Sequence, residues 1–277
     1  MADRVFAERG PGAFSLYLRL VGQSVRAQLQ YRTSVLLMAL GSFLALAVEL
    51  LGMWALFDRF GQLGGWQLGH AMFLFGLVNI AFGLCEALGR GFDVFAREFV
   101  RTGAFDRVLL RPRSTVLQVA GHELQLHRIG RLGQGLFALG YALLLLDLDW
   151  TLWRVGLLLF ALAGALALFY ALFILQATLS FWTIESLEVM NVLTYGGTET
   201  AQYPLPVYAG WLRRLFTYVV PLACVTYFPS VALFGVEDPL GSDRLFQCLA
   251  PLAGFVFLGL ALLGWRVGIL HYTSTGS

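Results

Sequence analysis

The groups in this 277-residue chain that could move a proton, hold a metal or grip an anion are four histidines, seventeen carboxylates and nineteen arginines, with no lysine among them. Without lysine there is no amine for a Schiff base and no P-loop cation to reach the β/γ-phosphates of a nucleotide. His122-Glu123 followed by His127 invites a metalloprotease reading. That chemistry places its histidines four apart, so that both meet one metal from the same side of a helix. Here they are five apart, which turns the second about 140° around the helix from the first, and no third acidic ligand stands in an obvious partner segment. No metal site is expected. Intramembrane proteolysis needs a serine nucleophile facing a histidine base. Ser42 and Ser180 fall in apolar stretches, only His70 among the histidines does, and no G-x-S-x pattern surrounds either serine. Cys85, Cys224 and Cys248 form no C-x-x-C and read as small buried hydrophobes. An enzyme is not expected.

Polar groups inside otherwise apolar runs are the stronger signal, because each is expensive in hydrocarbon and is kept for a reason. Glu49 lies within about 6 Å of the centre of its run at 1.5 Å per residue. Asn79 and Gln176 sit inside two others. These three are the candidates for a translocation path. For Glu49 the alternative is a satisfied acid in the bundle interior. Glu86 and Arg90 stand four apart, a spacing that lets them pair along one helix.

The elements that hold these groups follow from composition. The chain is 58% hydrophobic and 13% charged, with a mean hydropathy of +0.72, against about 25% charged for a soluble domain. That leaves too little polar surface for a soluble enzyme, a nucleic-acid binder or a disordered chain. A spanning helix needs about 20 mainly apolar residues. Six stretches qualify, at about 34–57, 67–88, 129–147, 153–183, 215–236 and 246–265. The expected fold is all-α: one polytopic transmembrane domain over residues 1–277. With both termini in the cytoplasm, sixteen of the nineteen arginines fall on the cytoplasmic side, leaving Arg59, Arg154 and Arg244 outside. The N-terminal stretch lacks the apolar core and cleavage site of a signal peptide, so the first span is expected to be retained. The glycines of 89–91 and 130–135 follow no strand and suit close helix approach better than a dinucleotide loop.

Residues 13–31 read as an amphipathic helix, with Phe14, Leu18, Val21, Val25 and Leu29 on one side and Arg19 and Arg26 on the other. It is expected either in the cytoplasmic interface or packed on the protein. The loop between spans two and three, 89–128, puts Phe92, Phe95, Phe99, Phe105, Val108 and Leu109 on short helices ringed by arginine, with a break at Gly103 and a stop at Pro112. It is a docking surface or a headgroup-bound segment. The region 185–214 is read as cytoplasmic, and Pro221 and Pro229 break or kink the span that follows.

Two stretches carry a family resemblance. The run Arg101-Thr102-Gly103-Ala104-Phe105-Asp106-Arg107-Val108-Leu109-Leu110-Arg111-Pro112 resembles the "TG…D..LLRP" loop of the ABC type-2 permeases. The run Gln202-Tyr203-Pro204-Leu205-Pro206-Val207-Tyr208, continued by Val220-Pro221-Leu222-Ala223 and Tyr227-Phe228-Pro229-Ser230, is similar to their "YP..iY…iPla…yyPa" pattern. The resemblance implies a pair of six-helix permeases, identical or different, above two ATPase subunits that bind the ATP and magnesium; this chain needs no cofactor of its own. It also implies a short coupling helix in the second-to-third-span loop, seated on the ATPase. By motif match that role falls on Phe105, Leu109 and Leu110 as apolar anchors, with Asp106, Arg107 and Arg111 as the polar rim. The expected function is the permease subunit of an exporter in the bacterial inner membrane, moving a hydrophobic or amphipathic cargo such as a drug, lipid or natural product. An intramembrane enzyme and an ATP-independent channel or assembly scaffold are the alternatives.

Overall fold

A computed structural model describes residues 22–23, 25–122, 129–183 and 190–273. All regular structure among these residues is helical, as expected; the single β-type pairing is an isolated bridge between Leu63 and Trp66. Helix α1 (Arg32–Phe60) is apolar throughout and ends at Gly61, whose N–H donates to the Phe57 carbonyl at 2.8 Å. The chain reverses at Gly64 and Gly65, with φ of 57° and 86°, inside the Leu63–Trp66 bridge. Positive φ at both central residues is the tight-hairpin geometry that glycine adopts without a Cβ clash. Helix α2 (Leu68–Asp93) then starts on a reciprocal cap, in which the Gln67 N–H donates to His70 Nδ1 at 3.2 Å.

Helix α2 is the buried axis of the molecule, with Phe73, Leu74, Phe75, Leu77 and Val78 wholly enclosed. It does not stop near residue 88, where the apolar run ends. It continues to Asp93 and then, through a π-helical turn, to Val100, so the first turns of the 89–128 segment prolong the span. Two short helices follow, α3 (Phe105–Leu109) and α4 (Thr115–Ala120). Helices α5 (Ile129–Leu145) and α6 (Leu152–Leu179) both pack along α2. The α2–α5 seam is set by glycine. A Cβ on Gly76 would lie 2.6 Å from the Leu139 backbone nitrogen, and one on Gly135 would lie 2.8 Å from that of Ile80. Only hydrogen at these positions lets the two backbones touch.

The C-terminal third departs most from the expected spans. After a π-turn (Val192–Gly196) come α7 (Gly197–Ala201), a 3₁₀ turn (Leu205–Val207) and α8 (Gly210–Arg214) with its π-helical continuation (Leu215–Val219). Next are α9 (Leu222–Val225) and α10 (Tyr227–Phe234), then α11 (Arg244–Leu249) and α12 (Leu252–Leu270), which lies along α6. Residues 191–207 climb the side of α2. Asn191 meets Gln176 at the Asp93 end, Tyr195 meets Phe82 midway at 5.4 Å between ring centroids, and Val207 reaches the Gly64 turn. Residues 210–234 are apolar enough together to cross a membrane, but the run is broken at Pro221. Their two arms are bent by 70°, and both outer ends lie at the α1–α2 turn, because Phe234 closes on Trp66, His70 and Phe73. The inner tip, at Leu222, faces Gly197.

Proline explains the bend. Pro221 has no N–H for a helical bond, and Val220 before it is extended at φ −118°, ψ 92°. The expected span at 215–236 is thus a bent pair of arms, either a broken span or a re-entrant segment. The expected span at 246–265 is likewise displaced toward the C-terminus, because Ala250–Pro251 interrupts the run and the long helix begins at Leu252. By length and apolar composition four helices among the described residues can cross a membrane, α1, α2 through Val100, α6 and α12, or five if the bent pair Gly210–Val219 and Leu222–Phe234 is one span.

Candidate coupling site and polar face

Helix α3 is placed by local chemistry. The Thr102 hydroxyl donates to the Glu98 carbonyl at 2.6 Å and accepts the Ala104 N–H at 3.3 Å. Gly103, at φ 67°, turns the chain into the helix. Asp106 in the first turn and Arg107 in the last complement the helix dipole. From α4, the Gln118 amide donates to the carbonyls of Val108 (3.3 Å) and Arg113 (3.2 Å), tying the two helices together.

The α3 side chains divide sharply. Phe105 is 0% exposed, and its ring meets Phe95 (5.1 Å), Phe181 (5.5 Å), Trp265 (6.0 Å) and Tyr272 (5.1 Å). Those partners come from the ends of α2, α6 and α12. Trp265 also donates through Nε1 to the Thr115 hydroxyl at 3.0 Å, which adds α4 to the same knot. The opposite face carries Leu110, 83% exposed, and Leu109, 40% exposed, with Arg107 and Arg111 also exposed and Asp106 half-buried. Phe105, grouped by motif with the outward apolar anchors, instead points into the bundle, and Leu109 and Leu110 are the apolar residues left to a partner. The spacing of Phe92, Phe95, Phe99 and Phe105 signalled an apolar face; that Trp265 and Tyr272 would close it from 160 residues away was not readable. A groove of about 810 Å³ runs beside α3, lined by Arg107, Arg111, Glu98 and His122 together with Gln23 and Ala27. Residues 25–29 are helical, while 13–21 of the expected amphipathic helix lie outside the described residues.

The three path candidates are not brought together. Asn79 is buried and its amide donates to the Phe75 carbonyl at 2.9 Å within α2. Gln176 is buried at the other end, donating to Asp93 Oδ1 (3.0 Å) and Asn191 Oδ1 (3.5 Å). Asp93 in turn pairs with Arg90. Glu49 is exposed on α1, within electrostatic reach of Glu199 on α7 and Arg131 on α5. Tyr203 shares that field. Glu86 does not pair with Arg90; it meets Arg131 of α5 at 3.5 Å, and the Arg131 guanidinium lies 4.9 Å from the Phe82 ring centroid. Arg131, Glu199 and Tyr203 were missed as members of this polar face, since only tertiary contact sets them beside Glu49.

Among the described residues no group of three or more His, Cys, Asp or Glu could hold a metal. His122 stacks edge-on with Phe99 at 4.6 Å, and Glu123 and His127 lie outside the described residues. Ser180 donates to the Ala177 carbonyl at 2.6 Å near the inner end of α6, the length of the bundle from His70 beside Trp66. A model of the family described as ABC-2 family transporter protein matches residues 43–276. No curated protein and no solved structure matches the chain.

Proposed function

Because this chain belongs to the ABC-2 transporter family, we propose that it is the permease subunit of a bacterial exporter. It forms the translocation path with a second permease and is driven by a separate ATPase that binds ATP and magnesium. The observation that carries this reading is the two-sided α3: Leu109, Leu110, Arg107 and Arg111 face outward while Phe105 locks the helix to α2, α6 and α12. A helix held this way passes a push from outside directly to three long helices, whereas a loop bound only to headgroups would dissipate it.

Orientation follows from arginine. With the bent segment 210–234 taken as a re-entrant hairpin on the side of the α1–α2 turn, ten of the fifteen arginines among the described residues lie on the α3 side, which is then the cytoplasmic one. The six crossings are α1, α2, α5, α6, the polar segment through 191–207 and α12, with both termini inside. The exposed Glu49 and Glu199 and the half-buried Tyr203 form a polar face at membrane depth, an arrangement that hydrocarbon disfavours and that a second permease or a cargo path satisfies. The cargo is hydrophobic or amphipathic, since the exposed faces of α1 and α12 are almost wholly apolar.

Affinity purification of the tagged chain from its native inner membrane in mild detergent tests this. The expected eluate contains a Walker-motif ATPase and a permease, while the stripped chain alone binds no ATP. A folded chain that emerges with no ATPase, or that binds ATP by itself, points instead to a channel, a scaffold or an enzyme.

A further inference from the structure

The hairpin built by α8 to α10 and the 235–243 loop enclose an open pocket of about 550 Å³ that no part of the coupling argument uses. Arg213 and Arg214 both line it, and the Arg213 Nε is buried without a hydrogen-bond partner. Neither arginine makes an ion pair among the described residues. The nearby carboxylates are committed elsewhere. Asp238 takes the Tyr227 hydroxyl at 2.6 Å and the N–H groups of Leu240 and Ser242, and Asp243, on the pocket rim, caps α11 by accepting the Leu245 N–H at 3.1 Å. Two arginines against the single rim carboxylate of Asp243 leave the partly enclosed site with surplus positive charge that calls for an anion, and a guanidinium fork matches a phosphate. The remaining wall is apolar: Phe228 and Phe246 pack edge-on at 4.9 Å, and Tyr218 stands 80% exposed at the mouth. Just outside, Trp211 is also exposed, and with Tyr218 it makes the aromatic signature of headgroup depth. A free anion has no use for such a wall, whereas an acyl chain does.

We propose that this pocket binds a phosphate-bearing amphiphile of the outer leaflet, with the phosphate on Arg213 and Arg214 and the chains against Tyr218, Phe228 and Phe246. The site rests on the membrane placement argued above only for its depth, and its failure leaves the exporter reading intact, because α3 lies at the opposite end of the bundle. The test uses the purified full chain in a neutral detergent, with lipid retention read by native mass spectrometry. Dioleoylphosphatidylglycerol is expected to bind at least about tenfold tighter than dioleoylglycerol, which has the same chains and no phosphate, a gap of about 1.4 kcal/mol. Inorganic phosphate, with no chains, is expected not to displace it at large excess. R213Q/R214Q is expected to abolish the preference while a monodisperse elution profile shows it folded, and R213K/R214K to keep part of it. Equal binding of the two lipids, displacement by inorganic phosphate, or an unchanged preference in the folded R213Q/R214Q chain would each overturn the proposal.

Discussion

Single side chains in this protein gain their roles from contacts made far along the chain. Glu86 and Arg90 are spaced to pair with each other, yet Glu86 meets Arg131 of α5 and Arg90 meets Asp93, so that each charge has an opposite charge beside it. Asp238 is the clearest case outside the spans. Burial pushes its carboxyl upward, but the hydrogen bonds from Ser242, Tyr227 and the Leu240 and Ser242 amides outweigh that and hold it below the ordinary carboxylate range. A carboxyl lowered by folding stabilises fully above its unfolded value of about 4, and loses that contribution as the pH falls through its lower folded value. The thermal midpoint of the wild type is therefore expected to drop below about pH 4, and that of Asp238→Asn to be lower at neutral pH and to change less with acid. Equal acid sensitivity in the two would remove Asp238 from the account. Of the site residues, Leu109, Leu110, Arg107 and Arg111 were singled out by motif resemblance, and they are the ones exposed on α3. The inward turn of Phe105 was not readable, because its partners Phe181, Trp265 and Tyr272 are distant in sequence.

At the level of elements, the long apolar helices could be read and the interrupted ones could not. Helices α1 and α6 fall where uninterrupted hydropathy puts them. The segment 191–207, which we propose as a crossing, carries Asn191, Thr194, Thr198, Glu199 and Thr200 and has no apolar run to mark it. The segment 210–234, richer in apolar residues, reads as one span and is bent by 70° at Pro221. Hydropathy does not show that bend, since it counts side chains and is blind to a missing N–H. The seams between elements depend on glycine more than on large side chains. Gly76→Val is expected to force α5 away from α2 and destabilise the bundle by about 1–3 kcal/mol. Gly133→Val, on the partner helix α5 but with open space at its Cβ, is expected to leave the melting midpoint nearly unchanged. Equal effects in a detergent melt would mean that close backbone approach does not set the seam.

Taken whole, the molecule has one end that is aromatic and knotted around Phe105, and another that is built of the α1–α2 turn, the hairpin and the Asp238 loop. The polar face of Glu49, Glu199 and Tyr203 lies between them. On the proposed reading, a force applied at α3 reaches α12 through Trp265, and docking and coupling fall to different faces of α3 and are separable. The decisive measurement is hydrogen exchange of α12 in the purified permease–ATPase complex, before and after vanadate trapping of nucleotide, with ATPase recovery scored in the same preparations. The account predicts that Leu109→Ala/Leu110→Ala loses the ATPase, whereas Phe105→Ala retains it and abolishes the nucleotide-driven change in α12. A Phe105→Ala complex in which α12 still responds to trapping, or a folded Phe105→Ala chain that loses the ATPase as the leucine variant does, would contradict it.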